Sequence, residues 1–237
     1  CTNGIGYVDL MFKTDSIAPE QIPYLGLLKS VLGYVDTENY TYGELFNEIN
    51  ANTGGINCGV EVFDRADSTE EFQAMFSVRG KALYTKMDFL FKMIGEILNS
   101  SKLEDTKRLY EIVASVKSRA QVNLTGAGHS TAVLRAAAYS SPMAAFQDEM
   151  AGIGYYQFIE KLEKDFEQRK EETVEELCKL MKKILRPENF MISYTGERES
   201  LETVQKLAGA VKAGLGTEPV EKSEEKLTCT KKNEGFK

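Results

Sequence analysis

The chain has 237 residues, a formal net charge of −7, 42% hydrophobic and 27% charged residues, enough apolar content for one large domain or two small ones. Its acidic balance argues against a nucleic-acid footprint, which is usually basic. No apolar run approaches a membrane span and no basic-apolar leader opens the chain, whose first residue is Cys1 rather than Met, as expected of a chain processed or cut from something longer.

In chain order, Gly4 to Phe12 reads as a strand with apolar residues on both alternating sets, expected inside a sheet. Pro19 opens a helix to about Gly33, with Ile22, Leu25, Leu28 and Leu32 on one stripe and Gly33 as its C-cap. Thr41 is placed to cap a second helix, with Glu44 completing a capping box. After Asn52-Thr53-Gly54-Gly55, Ile56, Cys58, Val60 and Val62 alternate with polar neighbours. A polar connection from Arg65 to Glu71 leads to a second alternating run at Phe72, Ala74, Phe76 and Val78, and the pair reads as a hairpin. Leu83 to Leu98 is an amphipathic helix, and Glu104 to about Leu124 is another, broken by Thr125-Gly126-Ala127-Gly128. Ser130 to Tyr139 is alanine-rich and helical, and Pro142 begins a short helix. One long helix is predicted from about Tyr155 to Leu185 on near-heptad spacing. Arg186-Pro187 stops it, Phe190, Ile192 and Tyr194 form a last strand, and Ser200 to Ala213 a last helix.

Four strands and about eight helices, with the helices bunched between the third and fourth strands, predict an α+β architecture: one sheet with helices packed on it. From residue 216 onward Glu, Lys and Thr dominate, so 216–237 reads as a linker or disordered tail.

The chemistry available is narrow. His129 is the single histidine of the chain, which excludes any His-His zinc site, and its glycine-rich surroundings read as a helix start. The cysteines, Cys1, Cys58, Cys178 and Cys229, have no C-x-x-C spacing and read as thiols of a reducing compartment. No nucleotide-binding glycine loop follows a strand.

Several motifs then share an order and spacing. Thr2-Asn3-Gly4-Ile5 leads a strand, Thr53-Gly54-Gly55-Ile56 a hairpin, and Val78-Arg79-Gly80-Lys81 a helix. Gly126-Ala127-Gly128-His129 precedes an Ala/Arg-rich helix, and Met150-Ala151-Gly152-Ile153-Gly154-Tyr155 a long one. Together they resemble the presequence protease branch of the insulinase/pitrilysin zinc metallopeptidases. The resemblance covers about residues 2 to 215, and within the family it is to the first domain of the C-terminal half. It implies a largely antiparallel four-stranded sheet of the mitochondrial processing peptidase/insulinase type. It also implies that residues 1–215 are an inactive peptidase-like domain, and 216–237 a linker or the start of the next domain.

Active domains of that family carry His-x-x-Glu-His on the first helix after the first strand. Its two histidines and a distant glutamate hold Zn²⁺, and the glutamate of the motif acts as base on the bound water. The corresponding helix here, Gln21 to Leu32, has neither His nor Glu. No catalytic, cofactor-binding or metal residue is therefore assigned in this chain, and zinc is expected only in the parent enzyme. The implied role is a structural, substrate-chamber domain of a zinc metalloendopeptidase that degrades unfolded peptides; the alternative is an inactive peptidase-fold subunit or adaptor acting by protein binding. Partners are expected to be other domains of the same polypeptide and unfolded peptide, with no nucleic acid and no membrane, in the cytoplasm. Gly55, Ile56 and Asn57 read from the residues as a turn entering a paired core strand. The resemblance adds the other reading, since active members dock substrate by strand addition at that edge.

Overall fold

The computed structural model describes residues 2–223, 225 and 227–229. The chain opens with β1 (Ile5–Lys13), a 3-10 turn at Pro19–Gln21, then α1 (Ile22–Val31) and α2 (Tyr42–Asn52). The hairpin β2 (Ile56–Arg65) and β3 (Ser68–Leu83) follows, then α3 (Met87–Ser100), α4 (Thr106–Gly126), α5 (Gly128–Ala137), α6 (Pro142–Ala151), α7 (Ile153–Lys164) and α8 (Phe166–Ile184). The final elements are β4 (Phe190–Thr195) and α9 (Leu201–Ala213).

The strands form one antiparallel sheet in the order β2-β3-β1-β4. β1 thus lies between β3 and β4, and β2 and β4 are the edges. Side chains alternate across the sheet, so Leu10 and Phe12 of β1 share the inner face with their partners Val78 and Phe76 of β3. All four are fully buried, and α1 and α3 supply Leu25, Leu28, Leu90 and Ile94 to the same core. This α+β layering is the one the element pattern predicts.

Local chemistry accounts for the helix ends. Thr41 caps α2: its side chain accepts from the Glu44 amide, and the Glu44 carboxylate accepts from the Thr41 amide at 2.9 Å. Gly33 takes a positive φ of 86° just past α1, a conformation that glycine adopts without penalty. Gly26 is needed for a different reason. A Cβ there would lie 2.6 Å from the Met150 carbonyl oxygen and 2.7 Å from the Tyr155 ring, so its absence lets α1 meet the α6–α7 junction.

That junction explains the glycine motif before the long helical run. The Asp148 carboxylate is 1% exposed. It accepts from the amides of Ile153 and Gly154, at 3.0 and 3.1 Å, and from the Arg135 guanidinium of α5. A Cβ on Gly152 would collide with Asp148, so one carboxylate caps α7, and glycine leaves room for it.

Three expectations need correction. β1 is interior by position, but only its inner face is covered; Tyr7 on the outer face is 44% exposed. The polar stretch after Arg65 is not a long connection: β2 runs to Arg65 and β3 begins at Ser68, because backbone pairing carries the ladder into polar sequence that composition alone reads as a loop. The predicted long helix is two helices, broken at Asp165 (φ −101°, ψ 16°). Heptad spacing continues through the break, so it leaves no trace in the periodicity. The described residues hold nine α-helices where about eight were expected.

After α9 the described part of the tail returns along the body. The Arg186 guanidinium donates to the Glu218 carbonyl at 2.7 Å, the Ser223 amide to the Ser16 carbonyl at 3.1 Å, and Leu227 packs against the core.

Candidate functional site

The outer face of the sheet carries Tyr7, Phe63 and Met191, each close to half exposed. At the end where β2 begins, a cleft of about 620 Å³ lies between the Gly54-Gly55 turn and the outer-facing residues of β1, β3 and β4. The turn is built by its sequence. Gly55 has φ 103°, and its amide donates to the Thr53 hydroxyl at 3.0 Å. The Gly54 amide donates to the Lys81 carbonyl at 2.7 Å, and the Lys81 side chain lies where a Gly54 Cβ would be.

Arg79 is the centre of the cleft. Register places it opposite Asp9 of β1 and Asn57 of β2. Its guanidinium is shared between Asp9 (2.7 Å) and Glu61 (3.1 Å) and is 53% exposed. The hydrogen bond to Asp9 holds Arg79 above its ordinary pKa, and the exposure keeps the pair's worth to about 0–1 kcal/mol. Beneath it, Asp9 Oδ1 and Ser77 Oγ are buried and lack a hydrogen-bond partner among the described residues, an arrangement that costs on the order of 1–3 kcal/mol per group. A cleft with an exposed guanidinium, beside a strand edge that no described strand pairs, is suited to polar main chain. Among the described residues the Ser77 hydroxyl has no hydrogen bond to a carboxylate or any other base. Cys58 points to the inner face, where burial pushes its thiol up to about 12.

Of the three residues expected at this edge, Gly55 and Asn57 line the cleft and Ile56 turns its side chain to the core. Among the described strands, none pairs with the outer edge of β2. Tyr7, Asp9, Ser77 and Arg79 were not singled out as site residues by the sequence. The signal that could have found them is the odd-numbered set of β1, in which Asp9 interrupts an otherwise apolar run.

A second polar cluster sits where α1 begins, the place at which active members of the resembled family carry their metal motif. Gln21 donates to Glu176 and accepts from Lys183, both at 3.0 Å. Arg169 donates to the Tyr24 hydroxyl at 2.8 Å, and Tyr24 donates to Glu172 at 3.4 Å. The Arg169 hydrogen bond lowers Glu172, while burial raises Tyr24. These residues do not fit Zn²⁺: the carboxylates are already paired with cations and amides, and imidazole is lacking. Among the described residues no group of three or more His, Cys, Asp or Glu could hold a metal ion. His129 lies apart, exposed at the start of α5.

With the geometry in place, comparison with known proteins gives the following. The family model of the region associated with peptidase family M16, subfamily C, matches residues 1–162. Protein HypA of Clostridium perfringens is 33% identical over 99% of this chain and 24% of its own length. The mitochondrial presequence protease of Yarrowia lipolytica is 29% identical over 71% of this chain and 17% of its own length. Presequence protease 1 of Arabidopsis thaliana, named as chloroplastic/mitochondrial, is 26% identical over 86% and 19%. The chain therefore spans about a quarter or less of these relatives. A crystal structure of a conserved protein from Enterococcus faecalis V583 superimposes with TM-score 0.55 at 12% identity, over 86% of this chain and 47% of that one; at that identity the likeness is one of fold. No helix among the described residues is long and apolar enough to cross a membrane.

Proposed function

The chain belongs to the family associated with M16 peptidases of subfamily C, and from that premise we propose that it is a non-catalytic domain of a longer zinc metalloendopeptidase that degrades unfolded peptides. In this reading it forms part of the wall of a substrate chamber and contacts extended peptide along β2. The observation that carries the reading is a pairing of two features in one fold. The helix that would hold the zinc motif presents Gln21 and Tyr24 in a closed polar network, while the edge strand beside the Arg79 cleft is left unpaired among the described strands. Main-chain hydrogen bonds to an edge strand give about 0.5–1.5 kcal/mol each regardless of sequence, which suits a surface that meets many unfolded peptides. Gly55, Ile56 and Asn57 would lead that contact, the backbone of Ile56 serving even though its half-buried side chain packs against the core. Its partners would be the other domains of the same polypeptide. A reducing compartment is proposed on the free thiols of Cys58, Cys178 and Cys229.

The test is photocrosslinking. A benzophenone amino acid replaces Asn57, or Glu202 on the exposed face of α9 as a control, and the purified chain is mixed with a labelled unfolded peptide. Crosslinking at 57 and not at 202 is expected. Equal yields at both positions would remove β2 as the contact.

A further inference from the structure

The segment after α9 is composed like a linker: in residues 216–237, Val220 and Leu227 are the only members of the Val, Ile, Leu and Met set. Such a composition cannot order itself by burying its own apolar surface, so a fixed course has to be imposed by the body of the domain. The described part of the segment meets the body at three places, each with its own chemistry. At the first, the Arg186 guanidinium donates to the Glu218 carbonyl at 2.7 Å. Arg186 is 7% exposed, so this oxygen satisfies a cationic donor largely withdrawn from water. At the second, the Ser223 amide donates to the Ser16 carbonyl at 3.1 Å, and the Ser16 hydroxyl donates to the Lys183 carbonyl. That contact ties the segment to the loop between β1 and α1 and, through Ser16, to the end of α8. At the third, Leu227 packs against the core in an apolar groove bordered by Ile17, Ile22, Phe72 and Phe146. The occupant of this groove is therefore part of the chain itself.

The course of the segment matters because it forms one wall of a cleft. About 900 Å³ lies between the start of α1, where Gln21 and Tyr24 line it, Lys161 of α7, Lys183 of α8, and the segment's Val220 and Ser223. Five Lys and Arg residues of the body line the cleft against three glutamates, while the segment brings Glu221 and Glu225 with one lysine, Lys222. The balance of charge thus favours the segment where it lies. Pro219 keeps Glu218 extended and reduces the freedom that docking removes.

We infer that the segment from Glu218 to Leu227 is a clasp latched by Leu227, and that its release opens the cleft at the start of α1. Leu227 is the latch because the other two contacts are hydrogen bonds, which water can replace once the segment lifts. Nothing replaces Leu227 in its groove, since release exposes the leucine and the groove together. The inference goes beyond the proposed function and does not depend on the chain being part of a peptidase.

The test is limited trypsin digestion of the present chain at the Lys222–Ser223 bond, beside a free peptide of residues 216–229, with mass spectrometry of the products. Cleavage there requires the Ser223 amide to leave Ser16, so its rate follows the population of the open clasp. The free peptide should be cut at least roughly tenfold faster than the chain, a comparison that needs no variant to fold. Leu227→Asp should speed cleavage of the chain by roughly tenfold and Leu227→Met should not, with protection of the bonds after Lys117 and Lys161 showing that each variant is folded. Acetylation of Lys183 should also quicken in Leu227→Asp. Equal rates for chain and free peptide would overturn the clasp, and a rate unmoved by Leu227→Asp would overturn the latch. Unchanged acetylation of Lys183 would overturn the opening of the cleft.

Discussion

Replacing Asp148 with Asn tests whether the α5–α6–α7 junction is organised by one buried carboxylate. Asp148 and Arg135 have side chains 1% and 12% exposed, so the charge lost by the substitution is not replaced by water. Breaking a buried ion pair from one side costs about 3–5 kcal/mol. The Asn amide can keep one oxygen on the Ile153 or Gly154 amide, but it turns an NH₂ group toward either the other amide or the guanidinium, so part of the loss cannot be recovered. For a chain of this size each kcal/mol corresponds to about 2–4 °C in melting temperature, so a fall of roughly 6–20 °C is expected. Thermal and urea unfolding measure it. A double-mutant cycle with Arg135→Ala should return a coupling of about 1–3 kcal/mol, because the two residues share the interaction. Loss of less than about 0.5 kcal/mol in Asp148→Asn, the range of an ordinary surface change, would refute the assignment of the junction to this carboxylate.

Gly26→Val should destabilise by about 1–3 kcal/mol through overpacking, despite valine's better helix propensity than glycine, since the nearest clash is with a backbone oxygen, at 2.6 Å; urea unfolding reads it. Glu96 is 8% exposed. Burial alone would raise it, but hydrogen bonds from Thr37 and Asn39 leave it below the ordinary carboxylate value of 4.5. A lowered folded pKa contributes stability that is present above that value and lost as pH falls through the folded one. Melting temperature should therefore fall as pH drops below the ordinary carboxylate value of 4.5, and Glu96→Gln should flatten that part of the profile; an unchanged slope would contradict the assignment. Cys58, its thiol pushed up to about 12 by burial, should resist alkylation in the native chain at pH 7.5 and react once urea unfolds it, as mass spectrometry of the labelled peptide would show.

Where local chemistry decides the structure, the sequence is sufficient. Thr41 with Glu44, and Gly33 after the first apolar stripe, predict the boundaries of α1 and α2, and alternation around Ile56–Val62 and Phe72–Val78 finds the hairpin. Where tertiary packing decides, it is not. The outer residues Tyr7 and Met11 are apolar, so β1 reads as covered on both faces although one is open. Asp165 interrupts a helical run without altering its periodicity. The site divides in the same way: Gly55 and Asn57 are legible as a turn entering a strand, whose place at the sheet edge only the family resemblance suggests, but Arg79 meets Asp9 across 70 residues of sequence only through the register of β1 with β3.

The central claim is that this chain binds extended peptide but does not cleave it. Its most direct test incubates the purified chain with a labelled unfolded peptide, with and without added Zn²⁺, following binding by fluorescence anisotropy and products by mass spectrometry. The account predicts a rise in anisotropy that is lost when β2 is blocked and a peptide that stays intact in both conditions; zinc-dependent cleavage would contradict it.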